Sequence, residues 1–264
     1  MDSLRHTRIQ ATDMKRRYQL FLSLFLLVIF SLPYTAFAAF PTTGLISYWK
    51  MDDNSVDAHT GGNNGTDTSI TYSAGNGKIN NGAGFDGTNS KIAIADNSNL
   101  NVGTGSFSIS AWVKKASAAG AFGIASSRNA GDGWNMLVNV NKLYADGFGT
   151  AGLSGAGATV DNDAWHHLVV VYDRANLVLQ SYVDGATDRS TALDTTTSGS
   201  EAITKYIGAN GAGNQKMNGA IDEVGMWNVA LTATQVSDLY NAGAGLAYPS
   251  AAAVVKVPDI IFFD

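Results

Sequence analysis

The stretch DNDAWHHLVVVYDRANLVLQSYVDG, residues 161–185, constrains the fold most tightly. Residues 168–172 are apolar without a break. A half-buried strand alternates apolar and polar residues, so an unbroken run predicts a strand covered on both faces. A tight turn and a second strand, residues 177–183, follow. That strand places Leu177, Leu179 and Val183 on one face and Val178, Gln180 and Tyr182 on the other. Asp184-Gly185 then supplies the positive-φ residues that a two-residue hairpin turn requires. The stretch is expected to be the interior of an antiparallel sheet.

The rest of the chain agrees. Gly is abundant (29) and Pro scarce (4), and Gly, Asn, Asp, Ser and Thr cluster between short apolar runs. Such punctuation belongs to an all-β chain with many turns. Further strands are expected at residues 45–51, 91–95, 107–114, 121–126, 134–140, 142–145, 203–207 and 219–227. Residues 52–72 read as a long polar loop with at most a short strand at its end, 84–87 as a turn and 147–157 as loop or weak edge strand. One helix is expected over residues 233–242: Thr232 and Gln235 have the capping-box spacing, Val236, Leu239 and Tyr240 share a face, and Gly243 follows.

Charge is unevenly distributed. Residues 1–38 hold five of the 17 Lys/Arg and two of the 22 Asp/Glu, leaving 12 basic and 20 acidic residues, a balance of −8. An acidic chain lacks the basic patch that nucleic acid demands. The basic group Lys15-Arg16-Arg17, the apolar run 20–32 and the small residues around Ala36 and Ala38 have the layout of a secretory signal peptide. The expected organisation is a signal peptide at 1–38, a domain at 39–247 and a tail or linker at 248–264, with the product secreted or at the cell surface and no membrane insertion after cleavage. The chain has no Cys, so neither a disulfide nor a thiol nucleophile is available.

Several segments in order resemble the laminin-G-like jelly-roll family of the concanavalin A-like lectin/glucanase superfamily. They are GLISYW (44–49), FDG (85–87), KIAI (91–94), SFSISAWV (106–113), WHHL (165–168), YVDG (182–185), GAIDEVGMWN (219–228) and ALT (230–232). The resemblance implies an all-β, two-sheet antiparallel jelly-roll sandwich with one short C-terminal helix, and ligand contacts made mostly through loops.

No catalytic constellation emerges. Glycosidases need two positioned carboxylates, and after residue 38 the only glutamates are Glu201 and Glu223. Asp222 and Glu223 are adjacent, so regular alternation points them to opposite faces. The same alternation separates His166 from His167. A non-enzymatic role is expected. Calcium needs six to eight oxygen ligands; the resemblance makes Asp52 or Asp53 with Asp222 the natural ligands of a structural calcium joining the start of the domain to its last strand. For ligand binding the candidates are Asn129, Asp132 and Trp134 in one Gly-rich segment and Asn210 in another, with Trp134 also readable as core. The leading expectation is a secreted module that binds a glycan or an extracellular protein. An adhesive or structural module of a cell envelope is the alternative, and a glycan hydrolase the third.

Overall fold

The computed structural model describes residues 14–20, 38–59, 62–116, 120–129, 132–150, 152–193 and 202–248, with the side chains of Asn129 and Asp132 excepted. The chain forms two compact units, Met1–Phe37 and Ala38–Asp264. In the first, residues 14–20 are helical and exposed. No helix among the described residues is long and apolar enough to cross a membrane. The second unit carries everything that follows.

Its strands are β1 (Leu45–Trp49), β2 (Gly65–Thr68), β3 (Thr71–Ser73), β4 (Gly82–Asp86), β5 (Lys91–Ile94), β6 (Phe107–Lys115) and β7 (Ala121–Asn129). They continue with β8 (Asp132–Asn139), β9 (Lys142–Gly147), β10 (Trp165–Asp173), β11 (Val178–Val183), β12 (Ala186–Ala192), β13 (Lys205–Ile207) and β14 (Asn218–Trp227). Two antiparallel sheets result. The larger has the order β12-β11-β10-β6-β14-β4-β3, with β1 also paired to β14; the smaller is β2-β5-β13-β7-β8-β9. This is the expected all-β, two-sheet sandwich.

The unbroken apolar run of β10 now has its reason. Leu168, Val170 and Tyr172 enter the core between the sheets. Val169 and Val171 join Tyr48 and Trp227 in a second cluster on the outer face of the larger sheet, with Phe40, Leu231, Val236 and Leu239 packed against them. The helix α1 (Ala233–Tyr240) supplies the last two of these. Its capping box forms as the sequence predicts, and Asn241 ends it in the left-handed region at φ 47°.

Four expectations need correction. Leu177 is not in the second strand of the hairpin; it is the exposed turn residue, at φ 59°. Residues 82–86 form β4, and the turn begins only at Gly87, where φ is 75°. Residues 65–68 of the expected loop form a strand besides the short one at its end, 71–73, and β12 was not anticipated at all. The polar edge strands carry no apolar alternation, because little of their surface meets a core.

Candidate ligand-binding groove and buried carboxylates

Strand β8 divides its side chains between two tasks. Trp134, Met136 and Val138 point into the inter-sheet core, so Asn135, Leu137 and Asn139 lie on the opposite, outer face. Across the sheet Asn135 is in register with Ser126 of β7 and Asp146 of β9. These residues are joined side to side. Ser126 Oγ donates to Asn135 Oδ1. Asn135 Nδ2 donates to Asp146 Oδ1 at 3.0 Å, and Arg128 forms an ion pair with Asp146 Oδ2. From the core side the Tyr172 hydroxyl lies 2.8 Å from the Asp146 carbonyl oxygen and 3.2 Å from that of Asn135.

A loop then walls this face. Residues 209–211 lie flat across β7, made possible by two glycines. A Cβ on Gly123 would meet the Ala209 carbonyl carbon at 2.1 Å, and one on Gly211 would meet the Arg128 carbonyl oxygen at 2.0 Å. Asn210 holds the loop closed, donating to Gln215 Oε1 at 3.0 Å and accepting from the Asn214 N–H at 2.8 Å. Between the loop and Tyr144 and Asp146 of β9 runs a groove of about 410 Å³, floored by Asn135, Leu137 and Asn139. Burial and the nearby Asp146 carboxylate raise the Tyr144 pKa, so the phenol remains protonated. The groove is therefore an apolar patch, Leu137 and Tyr144, framed by amides, one guanidinium and one carboxylate.

Of the residues proposed from sequence for ligand binding, Asn210 lies in the groove. Trp134 does not: it is 3% exposed, with its ring 5.9 Å from that of Phe107. Strand alternation sends it inward, one residue before the outward-facing Asn135. The side chains of Asn129 and Asp132 lie outside the described residues; their backbones pair at the end of the β7–β8 hairpin. The groove lies on a sheet face with a loop at its side. Tyr144, Asp146 and Asn139 were missed, although their alternation with buried Leu143, Ala145 and Val138 was available in the sequence.

The acidic residues form a different feature. β14 changes partners midway: Asn218–Ile221 pair with β4 and Val224–Trp227 with β1. At the change the register with β6 shifts between Asp222 and Gly225, and Glu223 takes φ 49°. This β-bulge breaks the alternation expected from sequence, and both acids are buried, at 0% and 2% exposure. Asp222 Oδ2 accepts from the backbone N–H groups of Lys78 and Ile79 at 2.8 and 2.9 Å. Its Oδ1, both oxygens of Glu223 and Oδ1 of Asp52 make no hydrogen bond of good geometry. Burial, reinforced by the neighbouring acids, pushes Asp222 up to about 7 and Glu223 up to about 8. Asp52 belongs to this cluster, and its Oδ2 pairs with Lys50 at 2.9 Å. Asp53 does not belong; it is exposed and accepts from Asn81 at 2.9 Å. Among the described residues no three acidic or histidine side chains already converge closely enough to hold a metal.

His166 and His167 of β10 are both hydrogen-bonded to neighbouring side chains. His167 is buried, 2.8 Å from Ser110 Oγ, whereas His166 bridges Asp184 and Asn162 at 2.8 and 3.0 Å.

Solved structures share the fold. The binding domain of Paraclostridial Mosquitocidal Protein 1 superposes with a TM-score of 0.62 at 15% identity, over 76% of this chain and 52% of that one. Domain 4 of AbnA, a GH43 extracellular arabinanase from Geobacillus stearothermophilus solved with arabinotriose, superposes with a TM-score of 0.55 at 22% identity, over 74% and 97%. The binding domain of botulinum neurotoxin DC, in complex with SialylT, gives 0.57 at 16% identity, over 75% and 51%. The chain thus spans about half the length of the two toxin structures. No curated protein matches it in sequence. Residues 86–237 match the family described as the concanavalin A-like lectin/glucanases superfamily, the stretch that contains β6 to β14, the groove and the buried acids. The chain is a laminin-G-like member of the concanavalin A-like lectin/glucanase superfamily.

Proposed function

We propose that this chain is a secreted, non-catalytic binding module and that its ligand is a glycan seated in the groove over β8. The observation that carries the reading is the lining itself. Leu137 and Tyr144 offer an apolar surface to the C–H face of a sugar ring, and Asn139, Arg128, Asp146 and Gln215 surround it with hydrogen-bonding groups. Pockets of this composition bind by apolar contact and orient by a few polar groups. Structures of the same fold include one solved with arabinotriose and one with SialylT, which supports a glycan over other small ligands. The signal-like residues 1–38 support secretion. Glu223, the one glutamate among the described residues, is buried in the larger sheet and does not line the groove.

The test is a glycan array probed with the purified chain. Binding that is lost in Tyr144→Ala and Asn139→Ala, with the melting temperature retained, is expected. An array that stays blank, together with self-association of the chain, would instead make it an adhesive module.

A structural calcium belongs to the same proposal. The donors fit in kind: Asp52, Asp222 and Glu223 are hard oxygen ligands with buried oxygens that lack a hydrogen bond of good geometry. Burial keeps Asp222 and Glu223 partly protonated near neutral pH, with pKa values of about 7 and about 8. A Ca²⁺ ion would displace those protons and join the end of β1 to the last strand. Calcium should raise the melting temperature and EDTA should reverse it; no shift would retire the ion.

A further inference from the structure

Resting on the glycan reading above, we propose that the groove selects an uncharged glycan, lying along β8, and rejects sugars bearing carboxylate or sulfate. The only charged groups in the described lining are Arg128 and Asp146, and they are paired with each other. Arg128 can only donate hydrogen bonds, ionised Asp146 can only accept them, and the Asn139 and Gln215 amides do both. A sugar hydroxyl donates and accepts, so a row of hydroxyls can satisfy all of them. A carboxylate or sulfate accepts only. It would answer Arg128 but face the Asp146 carboxylate and the amide carbonyls with no proton to offer.

The surroundings point the same way. The chain carries 22 acidic against 17 basic residues, so its long-range field does not gather anions. Lysines near the groove are turned elsewhere. Lys142 Nζ donates to the Gly157 carbonyl at 2.5 Å. Lys91 lies over the Tyr206 ring at 5.3 Å, beside Gly213, and does not line the groove. Lys216 is near Lys91, which helps to lower its pKa after burial.

The experiment uses the full chain and two sets of oligosaccharide: arabinotriose, xylotriose and cellotriose as neutral probes, with tri-galacturonate and sialyllactose as acidic ones, alongside an array of both classes. Neutral glycans should bind, with affinity that changes less than about twofold when salt rises severalfold, because no net charge is exchanged across the groove. Asp146→Asn should weaken neutral binding about tenfold or more and, by freeing Arg128, admit acidic sugars. Acidic glycans binding the unaltered chain more tightly than neutral ones, or neutral affinity collapsing with salt, would overturn the selectivity but leave the glycan reading standing. Binding to no member of either class would remove both. If Asp146→Asn fails to fold, the salt and charge series on the unaltered chain still decides.

Discussion

Removing one oxygen from the core should weaken both the fold and the groove. Tyr172 is completely buried in the inter-sheet core, with its ring stacked on Phe107 at 4.3 Å and 7° and set edge-on to Phe148 at 6.0 Å. Its hydroxyl crosses from the larger sheet to the smaller and contacts the carbonyl oxygens of Asp146 and Asn135. These are the backbones of two groove residues. Tyr172→Phe keeps the ring and both aromatic contacts, so it creates almost no cavity, and the change isolates the hydrogen bond. Leaving buried acceptors without their donor costs about 1–3 kcal/mol. For a domain of this size each kcal/mol moves the melting temperature by about 2–4 °C, so the variant should melt about 2–12 °C lower. Thermal unfolding by near-ultraviolet circular dichroism measures it, and glycan affinity on the same sample should fall as β8 and β9 lose their anchor. A variant that melts within about 1 °C of the parent would refute the claim that this hydroxyl ties the sheets together.

Other perturbations follow from the same structure. His167 is held neutral by burial, its pKa lowered to about 3 from 6.5 against a small opposing effect of Asp184; Ser110, Trp112 and Tyr240 complete its surroundings. The unfolded chain therefore binds the extra proton first, and stability present above pH 6.5 is lost as the pH falls toward 3. His167→Gln should lose that part of the acid slope, and denaturant titrations at several pH values with parallel curves for both proteins would contradict the assignment. Glu223→Gln, in EDTA near pH 7, should melt above the parent, since the buried carboxyl, at about 8, must take up a proton that the unfolded chain has already lost near 4.5, and an amide need not. In calcium the order should reverse, the parent gaining about 2.7 kcal/mol at a hundred times the dissociation constant. Thr232→Ala removes the cap of α1 and should cost about 1 kcal/mol by chemical denaturation; a neutral result would mean that packing of Val236 and Leu239 alone holds the helix.

Legibility in the sequence followed the strength of the burial pattern. β6 and β10, and much of β14, could be read because their residues enter packed clusters. β12 could not: its residues are mostly exposed and in part paired only through backbone. The family resemblance, carried by segments spread from residue 44 to 232, gave the sandwich. It did not give the groove, which depends on which way each β8 residue faces and on a loop that only close glycine contacts bring across β7. Trp134 invited a binding role by residue type, but its place in the alternation already favoured the core, and there it lies. The Asp222-Glu223 pair failed in the opposite direction. Alternation was applied where a bulge suspends it, and no local signal in IDEVG marks the residue that turns to φ 49°.

β8 shows why fold and candidate site cannot be separated in this chain. Its even-numbered residues Trp134, Met136 and Val138 complete the core, and its odd-numbered ones, Asn135, Leu137 and Asn139, floor the groove. A one-residue slip would exchange the two sets, placing two asparagines in the core and a tryptophan in solvent. The apolar burial that fixes the register therefore also fixes which polar groups face the ligand. Leu137 then has a sharper meaning. It is the apolar member of the outward set, only 6% exposed under the loop wall, and it contributes nothing to the inter-sheet core. Its place in the floor suits a ligand surface that is itself partly apolar, as the faces of sugar rings are. Because the side chain is also packed under the loop, Leu137→Asn should cost about 2 kcal/mol or more of stability as well as glycan affinity, and an unchanged melting temperature would show that the loop does not cover it.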